Sequence, residues 1–368
     1  PTRRSSDLLE RKRHVEGLLR ALDLGIAGDR LVAEAAGHLG VVLEPALERG
    51  EVVALAERRL HAVPDALPVR VLPRLAEGVQ EAVEEYNAAQ TAGGNPAVKL
   101  YIMEAGTNQA EWVSKLTALS ATGDYDVIIS SNEALPELAA PLTVQFPKQK
   151  FLLLHGALEG NPNIACVDYD QREQCYLTGY IAALMSKNHK VALIAAQEYP
   201  AMNKVMLPYF ARGARDAVPG TTCDFRIVGN WYDASKGAEI ADALIANGVD
   251  IILPICGGAS QGVIASAREH GIHLAFNDSD AFEKAPGLVI SSCYTKQKTA
   301  AKEVTRDFLS GTVAWGTTKQ VGLQQGYIAF DDQNPLYISA VAEDVRTRMA
   351  ALVTGFTDGS ITVPGNPE

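Results

Sequence analysis

DFRIVGNWYDASKGAEIADALIANGVDIILPICGGASQG, residues 224–262, reads as two strand–turn–helix units in succession. DFRIVG and VDIILPI are short apolar runs bounded by turn residues, as strands are. KGAEIADALIANG between them reads as a helix, and QGVIASAREHG opens another. The special residues stand just beyond the strands: Trp231 after the first, Gly257 and Gly258 after the second. A third apolar run, IHLAF, leads into FNDSD at 276–280. Polar and aromatic residues at strand ends are how an α/β protein builds a ligand crevice.

The same alternation extends in both directions. From about Leu75, LAEGVQEAVEEYNAA reads as a helix, VKLYIMEA as a strand and QAEWVSKLTALSAT as a helix. YDVIISS, PELAAPLTVQF and KFLLLHG continue as strand, helix and strand. EQCYLTGYIAALMS, HKVALIAA and VMLPYFARGARDAV repeat the logic ahead of residue 224, and GLVISSCY, QKTAAKEVTRDFLSG and GYIAF come after IHLAF. Such a series predicts an α/β fold, a mostly parallel sheet in each of two lobes, covered on both faces. Residues 8–60 differ, being rich in Ala, Leu, Glu and Arg, and Pro64, Pro68 and Pro73 punctuate the segment that leads to Leu75. The expected organisation is a helical or aberrant extension over 1–50, then a first lobe from 51–165 with about 283–310. A second lobe takes 166–282 with about 311–350, and 351–368 is a tail.

The chain has 368 residues, 47% of them apolar, which is ample for two cores. Thirty-three basic against 44 acidic side chains give a net charge of −11, poorly suited to nonspecific nucleic-acid binding. Cys166, Cys175, Cys223, Cys256 and Cys293 match no zinc, redox or disulfide spacing and are expected as buried thiols. No stretch is apolar for the roughly 18 residues a membrane span needs. The opening PTRRSSDLLERKRH shows no signal peptide and reads as a processed, engineered or incomplete terminus. No cofactor, metal or catalytic residue is assigned. Ser292-Cys293 lacks a paired His and Asp, EHGIH lacks the zinc-protease spacing, and GGASQG is neither a phosphate-binding nor a dinucleotide fingerprint.

Position along the strands picks out the candidate ligand residues. Trp231 offers a ring to stack on a flat ligand, about 1–3 kcal/mol per stack, or else packs the core. Asp278 offers a carboxylate for vicinal hydroxyls. If the strand stays extended, Asp280 faces the same way. Lys296 either offsets Asp278 and donates to a hydroxyl or simply starts a helix. Asn132 and Glu133, at the end of YDVIISS beside Ser131, either read a ligand's polar edge or cap the next helix. Tyr169 lines the cleft, with Asp170 next to it. Gly257 and Gly258 let backbone approach the ligand. Asn230 and Asp233 flank Trp231, Asp233 also being placed to cap a helix.

Taken together, LAEGVQEAV, EAGTNQAEW, YDVIISSN, FPKQKFLLL, QREQCYLTGYIAAL, VGNWYDASKG, GVDIILPICGGASQG, FNDSD and SSCYTKQK resemble the basic membrane protein family over about residues 74–350. That family includes the purine-nucleoside receptors of bacterial ABC importers. The resemblance implies a type I periplasmic-binding fold, two Rossmann-like α/β lobes joined by a hinge. It implies a purine held between aromatic rings and a ribose gripped by Asp and Lys. These roles carry over to Trp231, Asp278 and Lys296, with the base-reading position at Asn132 or Glu133. The implied partners are a nucleoside or related small molecule and a cognate ABC permease, with no nucleic acid. The implied location is the periplasm or the outer face of the cytoplasmic membrane, through a lipid anchor. The family's early strand and Asp-Asp-Lys-Ser-Phe-Asn-like loop have no counterpart here, where VVALAERRLHAVPDALPVRV stands, with EVVALA as a substitute strand.

Overall fold

The computed structural model describes residues 51–56, 74–105 and 109–365; the expected extension over 1–50 lies outside them. Among the described residues the strands form two six-stranded sheets. The first holds β1 (Glu51–Ala56), β2 (Lys99–Glu104), β3 (Tyr125–Ser131), β4 (Lys150–Leu154), β5 (Ile164–Tyr169) and β11 (Thr318–Val321). Its order is β11-β5-β4-β3-β1-β2. The second holds β6 (Lys190–Ala195), β7 (Thr222–Ile227), β8 (Ile251–Ile255), β9 (His273–Asp278), β10 (Val289–Thr295) and β12 (Ile328–Phe330), in the order β12-β10-β9-β8-β6-β7.

Parallel pairing dominates both sheets, as the alternation predicts. EVVALA does form a strand, but β1 runs antiparallel to both neighbours, Val53 lying opposite Ile102 of β2 and Ile129 of β3. β12 is likewise antiparallel to β10.

Period-two burial sets the layers of the first sheet. Ile128 of β3 and Phe151 and Leu153 of β4 pack with Trp112, Leu116 and Leu142 of α2 (Gln109–Thr122) and α3 (Leu135–Gln145). Their strand neighbours Val127, Ile129, Leu152 and Leu154 join Leu75, Val79 and Val83 of α1 (Arg74–Ala92) on the other face. α8 (Gln297–Ser310) lies along α1, tied by an exposed ladder of Lys298, Lys302 and Arg306 with Glu81 and Glu85. Salt screens such surface pairs, so apolar contact is what holds the helices.

The second sheet is covered on one side by α4 (Gln171–Met185), α5 (Leu207–Ala217) and α10 (Glu343–Asp358), and on the other by α6 (Ala234–Ala246) and α7 (Ser260–His270). Gly262 permits the α6–α7 contact, since a Cβ there would overlap the Ala234 carbonyl oxygen. α9 (Pro335–Ala340) packs beside β10.

The chain crosses between sheets after β5, after β10 and between β11 and β12. This corrects the expected lobe boundaries. β10 belongs to the second sheet although 283–310 is expected in the first lobe, and β11 belongs to the first although 311–350 is expected in the second. The crossing after β5 falls at Tyr169–Asp170, beyond residue 165, and the expected tail contains the last turns of α10. Backbone pairing explains the exchange: Thr318–Val321 extends the first sheet alongside Cys166–Tyr169. The crossings are bonded to one another, Asp170 N donating to Val321 O at 2.8 Å and Lys296 N to Tyr327 O at 2.7 Å.

Candidate functional site

Both sheets end their parallel strands toward a shared region, and its side chains come from the carboxyl edges. The first sheet supplies Glu133 after β3, His155 after β4, and Asp168 and Tyr169 at the end of β5. The second supplies Tyr199 after β6, Trp231 after β7, Gly257 after β8, Asp278 at the end of β9 and Lys296 after β10. The β8–β9 ladder stops after Ile252 and Leu274, ahead of Pro254, which has no N–H to offer a neighbour.

Trp231 is set by backbone geometry. Asn230 Oδ1 accepts from Tyr232 N (3.0 Å) and Asp233 N (2.8 Å), and Asp233 Oδ1 caps α6 by accepting from Lys236 N (2.9 Å). The carbonyl of Trp231 accepts from Gly258 N at 2.7 Å, joining two strand-end turns. Gly257 sits at φ +55°, and a Cβ there would lie 2.9 Å from that carbonyl oxygen, so glycine permits the contact. The indole is partly buried against the core, and its Nε1 is buried with no hydrogen-bond partner.

Asp278 has φ +68°, a left-handed conformation uncommon outside glycine and tolerated best by Asn and Asp. Gln174 Nε2 donates to its Oδ1 (3.4 Å) and to Cys293 O (3.0 Å). Burial pushes the Asp278 carboxyl up to about 6, against the pull of Gln174 and of Lys284. Lys284, not Lys296, is therefore the ammonium acting on Asp278. The Lys296 ammonium has no partner among the described residues.

Glu133 receives a hydrogen bond from Gln171 Nε2. Burial raises its pKa most, opposed by His155 and Gln171 and reinforced by Asp278 and Asp168. The Asp278 carboxylate thus acts on Glu133 across the two sheets. Asp168 is raised too, chiefly by burial, with His155 and Gln320 opposing. Tyr169 is 1% exposed with an unpartnered hydroxyl and stacks obliquely on His155 at 4.7 Å. Burial raises the Tyr169 and Tyr199 phenols, and Asp278 raises both further.

Several expected contacts have other duties. Asn132 Oδ1 accepts from Ala134 N (2.9 Å) in the turn before α3, and does not cap the helix, whose N-cap is Ala134 with no side-chain bond. Ser131 Oγ accepts from Gln297 Nε2 at 2.8 Å. Asp170 caps α4 and pairs with Arg172 at 2.5 Å. Asp280 is exposed and accepts from Phe282 N at 3.3 Å; the turn at Asp278 breaks the extension that would have aligned the two carboxylates. Sequence reasoning missed His155, Tyr199, Gln171 and Gln174. The first two occupy strand-end positions and were findable by that rule. Among the described residues no group of His, Cys, Asp and Glu is placed to hold a metal, and no helix is long and apolar enough to cross a membrane.

Two α/β lobes with three crossings and a polar, aromatic cluster at their carboxyl edges define a type I periplasmic-binding-protein-like solute receptor. The chain belongs to the family described as ABC transporter substrate-binding protein PnrA-like (Bmp), whose profile matches residues 76–354. It is similar to the ABC transporter nucleoside-binding protein BmpA of Lactococcus lactis, with 21% identity over 307 residues, covering 78% of this chain and 83% of that protein. It is 20% identical over 276 residues to a CD4+ T-cell-stimulating antigen of Listeria monocytogenes, covering 71% and 76%. An ABC transporter solute-binding protein from Aeropyrum pernix superposes with a TM-score of 0.62 at 20% identity, over 80% of this chain and 89% of that one.

Proposed function

We propose that this substrate-binding protein captures a nucleoside, a purine nucleoside foremost, between its lobes and delivers it unchanged to an ABC permease. The observation that carries the reading is one crevice edge bearing a partly buried indole with an unpartnered Nε1 and a carboxylate held in a left-handed turn. Trp231 covers the base, and Asp278 accepts from the ribose hydroxyls. Glu133 accepts from the base edge, while Lys296 donates to a hydroxyl. The Lactococcus lactis relative, a nucleoside-binding protein, supports the same reading.

Closure would dry these acceptors and strengthen each charged hydrogen bond. The ligand shifts the lobes toward their closed form by binding it more tightly, with no bond made or broken. The protein then works at the outer face of the cytoplasmic membrane, lipid-anchored. Calorimetry with adenosine, guanosine and a hexose, paired with product analysis, tests the reading. Saturable nucleoside binding with unchanged ligand supports it. Preference for the hexose, or release of free base, refutes it.

A further inference from the structure

The first turns of α4 stand between the two carboxylates that face each other across the sheets. Gln171 and Gln174 are one helical turn apart, and side chains at that spacing lie about 5–6 Å apart on one face. Gln171 Nε2 donates to Glu133 of the first lobe, and Gln174 Nε2 to Asp278 of the second. Both glutamines are buried, at 9% and 0% exposure. One turn on, Thr178 Oγ1 donates to Asn277 Oδ1 at 2.6 Å, and Asn277 Nδ2 donates to Cys175 Sγ at 3.2 Å. One helix face therefore fixes the Asn277–Asp278 turn and also reaches Glu133.

Gln174 is costly as packing material. Its Oε1 is buried with no donor, a penalty that an apolar side chain of the same length avoids. What the amide offers in return is its N–H on Asp278 and on the Cys293 carbonyl.

We propose that Gln171 and Gln174 are positioning residues, paired amides that set Glu133 and Asp278 as two ligand acceptors at a fixed separation. The ligand role of the acceptors rests on the nucleoside reading; their placement by α4 does not. Asp278 also faces Lys284, Glu133, Tyr169, Tyr199, Cys175 and Cys293, and Glu133 faces His155, Asp168 and Tyr199. Those groups stay constant when one amide is replaced.

The test uses ligand-free protein first. Carboxyl-carbon NMR titrations of the parent, Gln174→Met and Gln171→Met should show the Asp278 midpoint rising in the former and the Glu133 midpoint in the latter. Guanosine and adenosine affinity should then fall about tenfold in each. In Gln174→Met the acid limb of binding should move toward neutral pH, and the affinity loss should vanish on an Asp278→Asn background. Unmoved midpoints in a folded variant, or an equal loss on that background, overturn the proposal. Should Gln174→Met not fold, Gln171→Met decides through Glu133. A parent that binds neither nucleoside sinks the ligand reading, while the midpoints still decide the positioning.

Discussion

Replacing Asp278 by Asn should make the empty protein more stable while weakening ligand binding. The carboxyl titrates near about 6 in the folded chain against an ordinary 3.8, because burial disfavours its charge. A group raised in this way contributes stability that is fully present below its unfolded value. That stability is lost as pH rises through the folded value. Two pH units correspond to about 3 kcal/mol, and partial solvent access lowers the expectation to about 1–3 kcal/mol at neutral pH. Asn keeps the shape, tolerates the left-handed backbone and still accepts from Gln174, so the charge is the main change. Urea unfolding across the acid-to-neutral range should show the variant gaining stability from about pH 4 upward and levelling off above about pH 6, with the curves converging in acid. Calorimetry should show nucleoside affinity down at least about a hundredfold, as two charge-assisted hydrogen bonds are weakened. A variant no more stable than the parent at neutral pH, or one that binds normally, would refute the reasoning.

Trp231→Ala should weaken nucleoside binding by about 1–3 kcal/mol, while Trp231→Phe retains most of it; equal losses in both would argue against stacking. Glu173 accepts from Leu323 N at 2.7 Å beside the crossing after β11, and burial pushes its carboxyl up to about 7. Its raised value makes the parent lose stability as pH rises from about 4.5 to about 7, so Glu173→Gln should flatten that slope in thermal melts. Glu173→Ala, by leaving the Leu323 N–H without its acceptor, should be about 1–3 kcal/mol less stable than Glu173→Gln at every pH. Gly262→Ala should destabilise by about 1–3 kcal/mol in urea titrations, because a methyl there meets the α6 backbone and not a mobile side chain.

The lobes were legible in the sequence because each strand is a short apolar run with a helix of one apolar stripe behind it. Pairing partners were less so. Thr318–Val321 carries two exposed residues of its four and looks like loop, and only its ladder with β5 makes it a strand. IACVDY does not stand out as a strand because it is short and Asp168 interrupts it, yet it forms β5 and fixes the first crossing. Site residues at strand ends, Trp231 and Asp278, could be picked by position alone. Their supports could not, since Gln171 lies 38 residues from Glu133 and Gln174 lies 104 from Asp278. A trace of these supports did stand in the sequence. Gln171, Gln174 and Thr178 recur at intervals of three and four along the stripe that also carries Cys175, Ile181 and Ala182, all buried. A helix that spends its core-facing stripe on amides and a hydroxyl leaves polar groups to be satisfied in the interior, where an apolar stripe would leave none. In α4 most of those groups are satisfied by the end of β9 and by Glu133, which is why the helix after the first crossing is the element that joins the two halves of the crevice.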